Sequence, residues 1–352
     1  MLMLGLQVLS RYKNVEKAHE VFLKAGAKCA LPASECNQIW EWCIANHDGT
    51  KGKYSEGKTK LNAAELERIL DAFNIKVRVN LFTRELEVSD LPESKYIQRG
   101  YYDLKGLAKK QANRENLPLF LWSYLNENSY SCRSEMLMSM ITVVGNTNVY
   151  NPVLDMLKAT RWDGEDRISK LCDVLNMRMD SFYCEIIRKW LHQAVSLALN
   201  DEGDIGLEFV LVLQGAQGLG KTNFFRRLAV RPEWFCEGAV INVDDKDTII
   251  QATGTWICEL GELDSTLKKE QASLKSFLTR NFDEYRPPYG RSSIKRERRT
   301  CFCATVNPEK VNRDDTGSRR FVYVHVDSMD KDFIYEKMTP EWSVQLWRQV
   351  YE

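Results

Sequence analysis

The chain has 352 residues, 44% hydrophobic and 28% charged, which is enough apolar material for two or three domains with cores of their own. Forty-nine basic residues balance 49 acidic ones, so a protein-wide positive field is excluded and nucleic-acid contact would have to come from a local patch. The opening MLMLGLQVL is too short for a bilayer span and lacks the charged start of a signal peptide, so no membrane contact is expected. Ten cysteines occur without a single C-x-x-C. Cys36, Cys43 and His47 are spaced loosely like zinc ligands, but with no evident fourth ligand the cysteines read as buried free thiols of a reducing compartment.

Residues 1–100 read as a helical accessory region with a short hairpin. In CNQIWEWCIA, Ile39, Trp40, Cys43 and Ile44 share a helical face. NAAELERILDAF opens on Asn62 as an N-cap with Glu65 three positions on, and KVRVNLFTRELE (76–87) alternates like a hairpin. From 101 to 204 the pattern is helical again, through RSEMLMSMITVV, NPVLDMLKA and SFYCEIIRKWLHQAVSLAL, and suggests a collar or oligomerisation domain. The loop NDEGDIG (200–206) separates it from a block of alternating strands and helices at 205–352.

Two stretches satisfy G-x-x-x-x-G-K-[ST], the pattern of a loop that cradles phosphates: GKYSEGKT (52–59) and GAQGLGKT (215–222). A working loop needs a buried strand leading in and a helix leading out, whose N-terminus and nest of N–H groups hold the anion. LEFVLVLQ (207–214) precedes the second match, and NFFRRLAV follows with Phe224, Phe225 and Leu228 at helical spacing. The first follows a polar turn, and Glu56 would stand beside the phosphates, so one nucleotide site is expected. There Gly215, Gly218 and Gly220 allow positive φ and close backbone approach to the phosphates of ATP.

The remaining parts of an ATP-hydrolysing site follow in order. TWICELGEL (255–263) is a short apolar strand ending at Glu259, with Glu262 three residues on; either carboxylate could polarise water, and Glu259 could hold Mg²⁺, unless the pair merely caps a helix. CFCATVN (301–307) is a second buried strand with Asn307 at its exit, where an amide can orient water or simply mark a turn. Arg319 and Arg320 precede a third strand, FVYVHV, and a guanidinium there can stabilise phosphoryl transfer, often in a neighbouring subunit. YRPPYGRSSIKRERR (285–299) gathers Arg286, Arg291, Lys295, Arg296, Arg298 and Arg299 around Tyr289, a composition suited to single-stranded nucleic acid through phosphate contacts and base stacking.

The order GAQGLGKT, WICELGEL, LKSFLTRNFDEYRPPYGR, CFCATVN and DDTGSRRF resembles the virulence-associated protein E family, and RWDGEDRI (161–168) and RKWLHQAV (188–195) resemble it too. The family comprises ATPases of phages and mobile genetic elements related to superfamily 3 helicases of the AAA+ group. The resemblance implies an α/β P-loop ATPase domain preceded by a largely α-helical N-terminal region, with ATP and Mg²⁺ as cofactors. It also implies a DNA helicase or translocase acting as a homo-oligomeric ring, a hexamer, on single-stranded DNA in the cytoplasm of a bacterial host, with a primase or other replication proteins as candidate partners. An ATP-switched replication initiator or loader that binds DNA without unwinding it is the alternative. On this resemblance Lys221 and Thr222 contact phosphate and magnesium, Glu259 is the acidic strand residue, Asn307 the sensor, and Arg319 or Arg320 acts on the neighbour's ATP. The acidic motif departs from the family in reading Glu-x-x-Glu instead of adjacent acids.

Overall fold

The computed structural model describes residues 4, 8–9, 15–29, 31–45, 59–94, 97, 99–177, 181–261, 271–285, 294–307 and 320–352. They form two compact units: Met1–Leu66 with Glu93–Arg99 and Glu115–Met140, and Glu67–Pro92 with Gly100–Arg114 and Ile141–Glu352. GKYSEGKT up to Lys58, and His47, lie outside the described residues.

In the first unit, helices α1 (Val15–Lys28) and α2 (Ala33–Ala45) pair through Ala18 and Phe22 on one side and Cys36 and Trp40 on the other. The buried stripe of α2 is Cys36, Trp40 and Cys43, and Ile44, expected on that face, is exposed. Spacings of four and three keep those three residues in line, whereas Ile44 is turned a further 100° from Cys43. Strand β1 (Thr59–Lys60) runs parallel to a later two-residue strand, Tyr130–Ser131. The helix that follows, α3 (Ala63–Ala72), starts as its sequence requires, with Asn62 Oδ1 accepting from the Glu65 N–H at 2.9 Å.

The expected hairpin forms from β2 (Val77–Asn80) and β3 (Leu86–Val88), antiparallel as predicted, but it belongs to the second unit. After α4 (Gly106–Glu127), β4 (Tyr130–Ser131) and α5 (Ser134–Thr147), the short β5 (Val149–Tyr150) pairs with β2. Three helices come next: α6 (Pro152–Ala159), α7 (Arg167–Val174) and α8 (Phe182–Ala198). Asn151 caps α6 by accepting from the N–H groups of Val153 and Leu154, with Pro152 at the first turn where it needs no N–H partner. Cys172 on α7 and Cys184 on α8 are joined as a disulfide with Cα atoms 5.7 Å apart, which corrects the expectation of free thiols for these two of the ten cysteines.

The last segment lays down β6 (Val210–Gln214), α9 (Lys221–Leu228), β7 (Phe235–Ala239), α10 (Lys246–Thr253), β8 (Ile257–Leu260), α11 (Gln271–Leu278), β9 (Phe282–Tyr285), β10 (Ile294–Glu297), β11 (Cys301–Val306), β12 (Phe321–His325) and α12 (Pro340–Tyr351). Five of these strands make one parallel sheet in the order β12-β6-β11-β8-β7. VLVL of β6 and CFCA of β11 are buried throughout, the uninterrupted apolar pattern of strands covered on both faces.

The helices of residues 152–198 are not a separate collar. Val153, Leu157, Leu171, Trp190 and Leu191 lie in one core with the sheet residues. Trp190 on α8 donates to the Phe302 carbonyl of β11 at 3.0 Å, and Trp256 donates back to the Ala194 carbonyl of α8 at 2.9 Å. Gln193 accepts from the Glu208 and Phe209 N–H groups and donates to the Phe209 carbonyl, closing the entry of β6. The loop at 200–206, taken from its composition as a boundary, is pinned by buried Asn200, which accepts from Gly203 N–H and donates to the carbonyls of Ile205 and Arg298. The boundary expected at 204/205 therefore falls inside a single unit, because its polar residues satisfy one another.

Trp190→Ala removes a fully buried side chain and leaves the Phe302 carbonyl without this donor. Urea denaturation should show a loss of about 3–5 kcal/mol for the transition that carries the parallel sheet. Helices that merely leaned on the sheet would give no such loss.

Candidate nucleotide-binding site

Strand β6 delivers the chain into a glycine-rich turn at the carboxyl end of the sheet. A Cβ at Gly215 would lie 2.4 Å from the Val326 carbonyl oxygen, so only glycine lets the backbone pass. Gly220 has φ +95° and serves as the N-cap of α9, a conformation that favours glycine. It brings no capping side chain, so the first turn of α9 presents its N–H groups and positive dipole end toward the loop. The Lys221 ammonium donates to the carbonyls of Gly215 and Ala216, each at 2.7 Å. Burial pushes this amine below the ordinary lysine range, and the charge of Glu259 opposes that shift.

Thr222 points across to the neighbouring strands. One carboxylate oxygen of Glu259, Oε1, accepts from the hydroxyls of both Thr222 and Thr305 at 2.8 Å. The three residues come from α9, β8 and β11, and β11 lies between β6 and β8 in the sheet. Glu259 is buried, and desolvation raises its carboxyl above the usual glutamate range, with the two hydroxyl hydrogen bonds pulling the other way. Asn307 is half-buried and immediately follows Val306, whose carbonyl accepts from the Gly215 N–H at 3.2 Å. Thus Lys221, Thr222, Glu259 and Asn307 come together at one end of the sheet. Thr305 belongs with them and was not selected from sequence; the signal was the one hydroxyl in the apolar run CFCATV.

Arg320 stands elsewhere. Its carbonyl accepts from the Val210 N–H at the opposite end of β6, which puts it about 16 Å from the glycine-rich turn at 3.3 Å per strand residue. With Leu207, Glu208, Phe209, Thr279 and Val322 it lines a shallow cleft of about 370 Å³. Arg319 and Glu262 lie outside the described residues.

The basic stretch folds in part as an antiparallel hairpin of β9 and β10. Arg286, Tyr289 and Arg291 lie outside the described residues. Lys295 is exposed, with its ammonium 4.1 Å from the centre of the Phe282 ring, and Arg296 is half-buried. Arg298 and Arg299, expected to contact nucleic acid, are instead buried. The hairpin closes at the Phe282–Glu297 pair, and the chain then runs inward to reach β11. Arg298 is 0% exposed; it pairs with Asp283, donates to the Phe277 carbonyl at 2.7 Å and stacks on the Phe277 ring. Arg299 donates to the Ala198 carbonyl at the end of α8 and to Asp201. Both arginines hold the root of the hairpin, and neither is presented to a ligand.

RWDGEDRI has a structural role. Arg167 binds Asp163 and Glu165, and holds the Asp163 carboxyl below the usual aspartate range. Gln345 and Gln349 of α12 then hydrogen-bond the segment from the other side. Among the described residues no cluster of three His, Cys, Asp or Glu side chains could hold a metal ion, and no helix is long and apolar enough to cross a membrane. The Thr222 hydroxyl and Glu259 carboxylate are hard oxygen donors, a set that fits Mg²⁺, which keeps most of its waters and takes few protein ligands.

Fold and site together define a mixed α/β protein with a five-stranded parallel sheet, one inner strand of which feeds a glycine-rich loop and a helix. Residues 157–352 match the virulence-associated protein E-like domain, and the chain belongs to that family. It is similar in fold to the A-form apo structure of the NrS-1 C-terminal region, with 11% identity, a TM-score of 0.50, and coverage of 82% of this chain and 69% of that one. A second apo structure of the NrS-1 C-terminal region gives 12% identity, a TM-score of 0.49, and coverage of 82% and 68%. No curated protein matches the chain.

The raised carboxyl of Glu259 sets a pH dependence. Its contribution to stability is fully present below the unfolded-state value of about 4.3 and is lost as pH rises through the higher folded-state value. Glu259→Gln keeps an acceptor for both threonines without the buried charge. The variant should melt above wild type at neutral pH, the gap closing as pH falls below the ordinary glutamate range. A lower melting point at neutral pH would contradict this account.

Proposed function

We propose that the protein is an ATP-hydrolysing DNA translocase or helicase serving replication of a phage or mobile genetic element, and that it works as a homo-oligomeric ring, a hexamer, on single-stranded DNA. The observation that carries the reading is the Thr222–Glu259–Thr305 cluster beside a glycine-rich loop that ends in Lys221. Membership of the virulence-associated protein E-like family supports the replicative setting.

In this reading the phosphates of ATP lie against residues 215–220 and the N-terminus of α9, and the Lys221 ammonium turns from loop carbonyls to the β- and γ-phosphates. Thr222 and Glu259 would hold Mg²⁺, which would supply charge neutralisation on the phosphates. Asn307 orients a water in line with the γ-phosphorus. As the new P–O bond forms and the bond to the ADP oxygen breaks, the water's proton passes to a carboxylate. Glu259 and Glu262 are the two candidates for that role. Arg320, at the far end of β6 from its own loop, serves the site of the adjacent subunit, with Arg319 as the alternative. Lys295 and Arg296, with Arg286, Tyr289 and Arg291 of the same basic stretch of sequence, grip the DNA.

ATP hydrolysis measured against protein concentration, with and without single-stranded DNA, tests the reading. Activity should rise with both, fall by about a hundredfold or more in Lys221→Ala, and persist in Lys58→Ala. Arg320→Ala should be inactive alone and regain partial activity in mixed rings with Lys221→Ala. Hydrolysis indifferent to DNA and concentration would overturn the ring, whereas DNA-dependent assembly without strand separation would favour the initiator or loader. A separate expectation concerns the hairpin: Lys295→Ala should weaken DNA binding and flatten its salt dependence by about 0.7 in the log–log slope for each phosphate that is no longer neutralised. An unchanged slope would remove Lys295 from the DNA path.

A further inference from the structure

After β12 the chain makes a single π-turn, Phe333–Lys337, closed by the Met338 N–H donating to the Phe333 carbonyl at 2.9 Å. One-turn π segments are rare and occur often at functional sites. This one is fastened from below: Ile334 is fully buried, and Phe333 sets its ring edge-on to Trp342 with centroids 5.5 Å apart. Between these anchors Tyr335 stands out, 46% exposed.

Tyr335 is held over the glycine-rich loop. Its hydroxyl accepts from Asn223 Nδ2 at 2.6 Å, and its carbonyl accepts from Arg227 at 3.2 Å. A Cβ built on Gly220 would lie 3.8 Å from the Tyr335 hydroxyl. Asn223 follows Thr222 by one residue and so points about 100° away around α9. Thr222 faces Glu259, so Asn223 and Tyr335 flank the N-terminal turn of α9 on a different side from the Thr222–Glu259 contact. An aromatic ring that is large, exposed and fixed at both ends is organised for stacking before a ligand arrives.

We infer that Tyr335 is the platform on which the nucleobase of the bound nucleoside phosphate stacks. The inference rests on the nucleotide reading of residues 215–222 and adds the part of the site that meets the base. The amide of Asn223 is already engaged with the tyrosine hydroxyl and with Arg226, so the platform offers a flat face and few free polar groups to a base edge. It therefore supplies affinity for bases in general, greater for purines by their larger area.

Calorimetric titration with ADP and with inorganic pyrophosphate, in magnesium-containing buffer, separates base from phosphate binding. Tyr335→Ala should weaken ADP binding about tenfold, the worth of one base–aromatic stack, and leave pyrophosphate binding within about twofold. Tyr335→Phe should bind ADP like wild type, because it keeps the ring. Unchanged ADP affinity in Tyr335→Ala overturns the inference, and so does a parallel loss of ADP and pyrophosphate, which marks a structural role. The nucleotide reading itself fails, and the inference with it, if wild type binds neither ligand or if Lys221→Ala leaves pyrophosphate binding unaltered.

Discussion

A single buried carboxylate oxygen organises the centre of this protein. Glu259 Oε1 takes hydrogen bonds from Thr222 and Thr305, and those residues ride on the helix after the glycine-rich loop and on the strand beside it. Removing a charge from water is costly, and two hydroxyl donors offset only part of that cost, as the upward shift of the carboxyl records. The surrounding fold has to hold the arrangement in place. It does so with the buried apolar strand β11 beside β8 and with tryptophans whose indole N–H groups are each satisfied by a backbone carbonyl of a neighbouring element. A group kept in an unfavourable protonation environment by rigid neighbours is a common mark of a functional site.

Much of this was legible in the amino-acid sequence, and the limits are physical. The glycine-rich loop is recognisable because its pattern carries a local backbone requirement, the left-handed conformation of Gly220, whereas the lack of room at Gly215 is set by the distant Val326 carbonyl. Strands β6 and β11 announce themselves as apolar runs, and the Asn62 cap follows from short-range hydrogen bonding. Thr305 was harder, because alternation shows that it faces away from Ala304 but not that Glu259 waits on that side. The run KRERR misled for a related reason: composition shows five residues of high charge, whereas the hairpin register ends after Glu297 and turns the last two arginines inward. The polar loop at 200–206 looked like a linker until Asn200 supplied its backbone with partners.

The neutral overall charge gives the remaining surface features their meaning. With no protein-wide field to attract polyanions, the exposed part of the basic hairpin acts over about one Debye length, roughly 8 Å at physiological salt. Its root is stiff: Asp283 is shared by Arg298 and Arg84, and Phe282 packs against Gly203, where any side chain would clash.

Helix α12 bears on how the protein is made. Its Trp347 lies against Trp256 in the core and donates to the Leu228 carbonyl at the end of α9, while Ser343 donates to the Arg227 carbonyl and Gln349 accepts from the Arg167 N–H. The glycine-rich loop and its helix therefore emerge from the ribosome well before the residues that secure them. During synthesis the sheet would carry an uncovered aromatic face until α12 arrives. Completion of the glycine-rich end of the sheet is thus tied to the synthesis of α12.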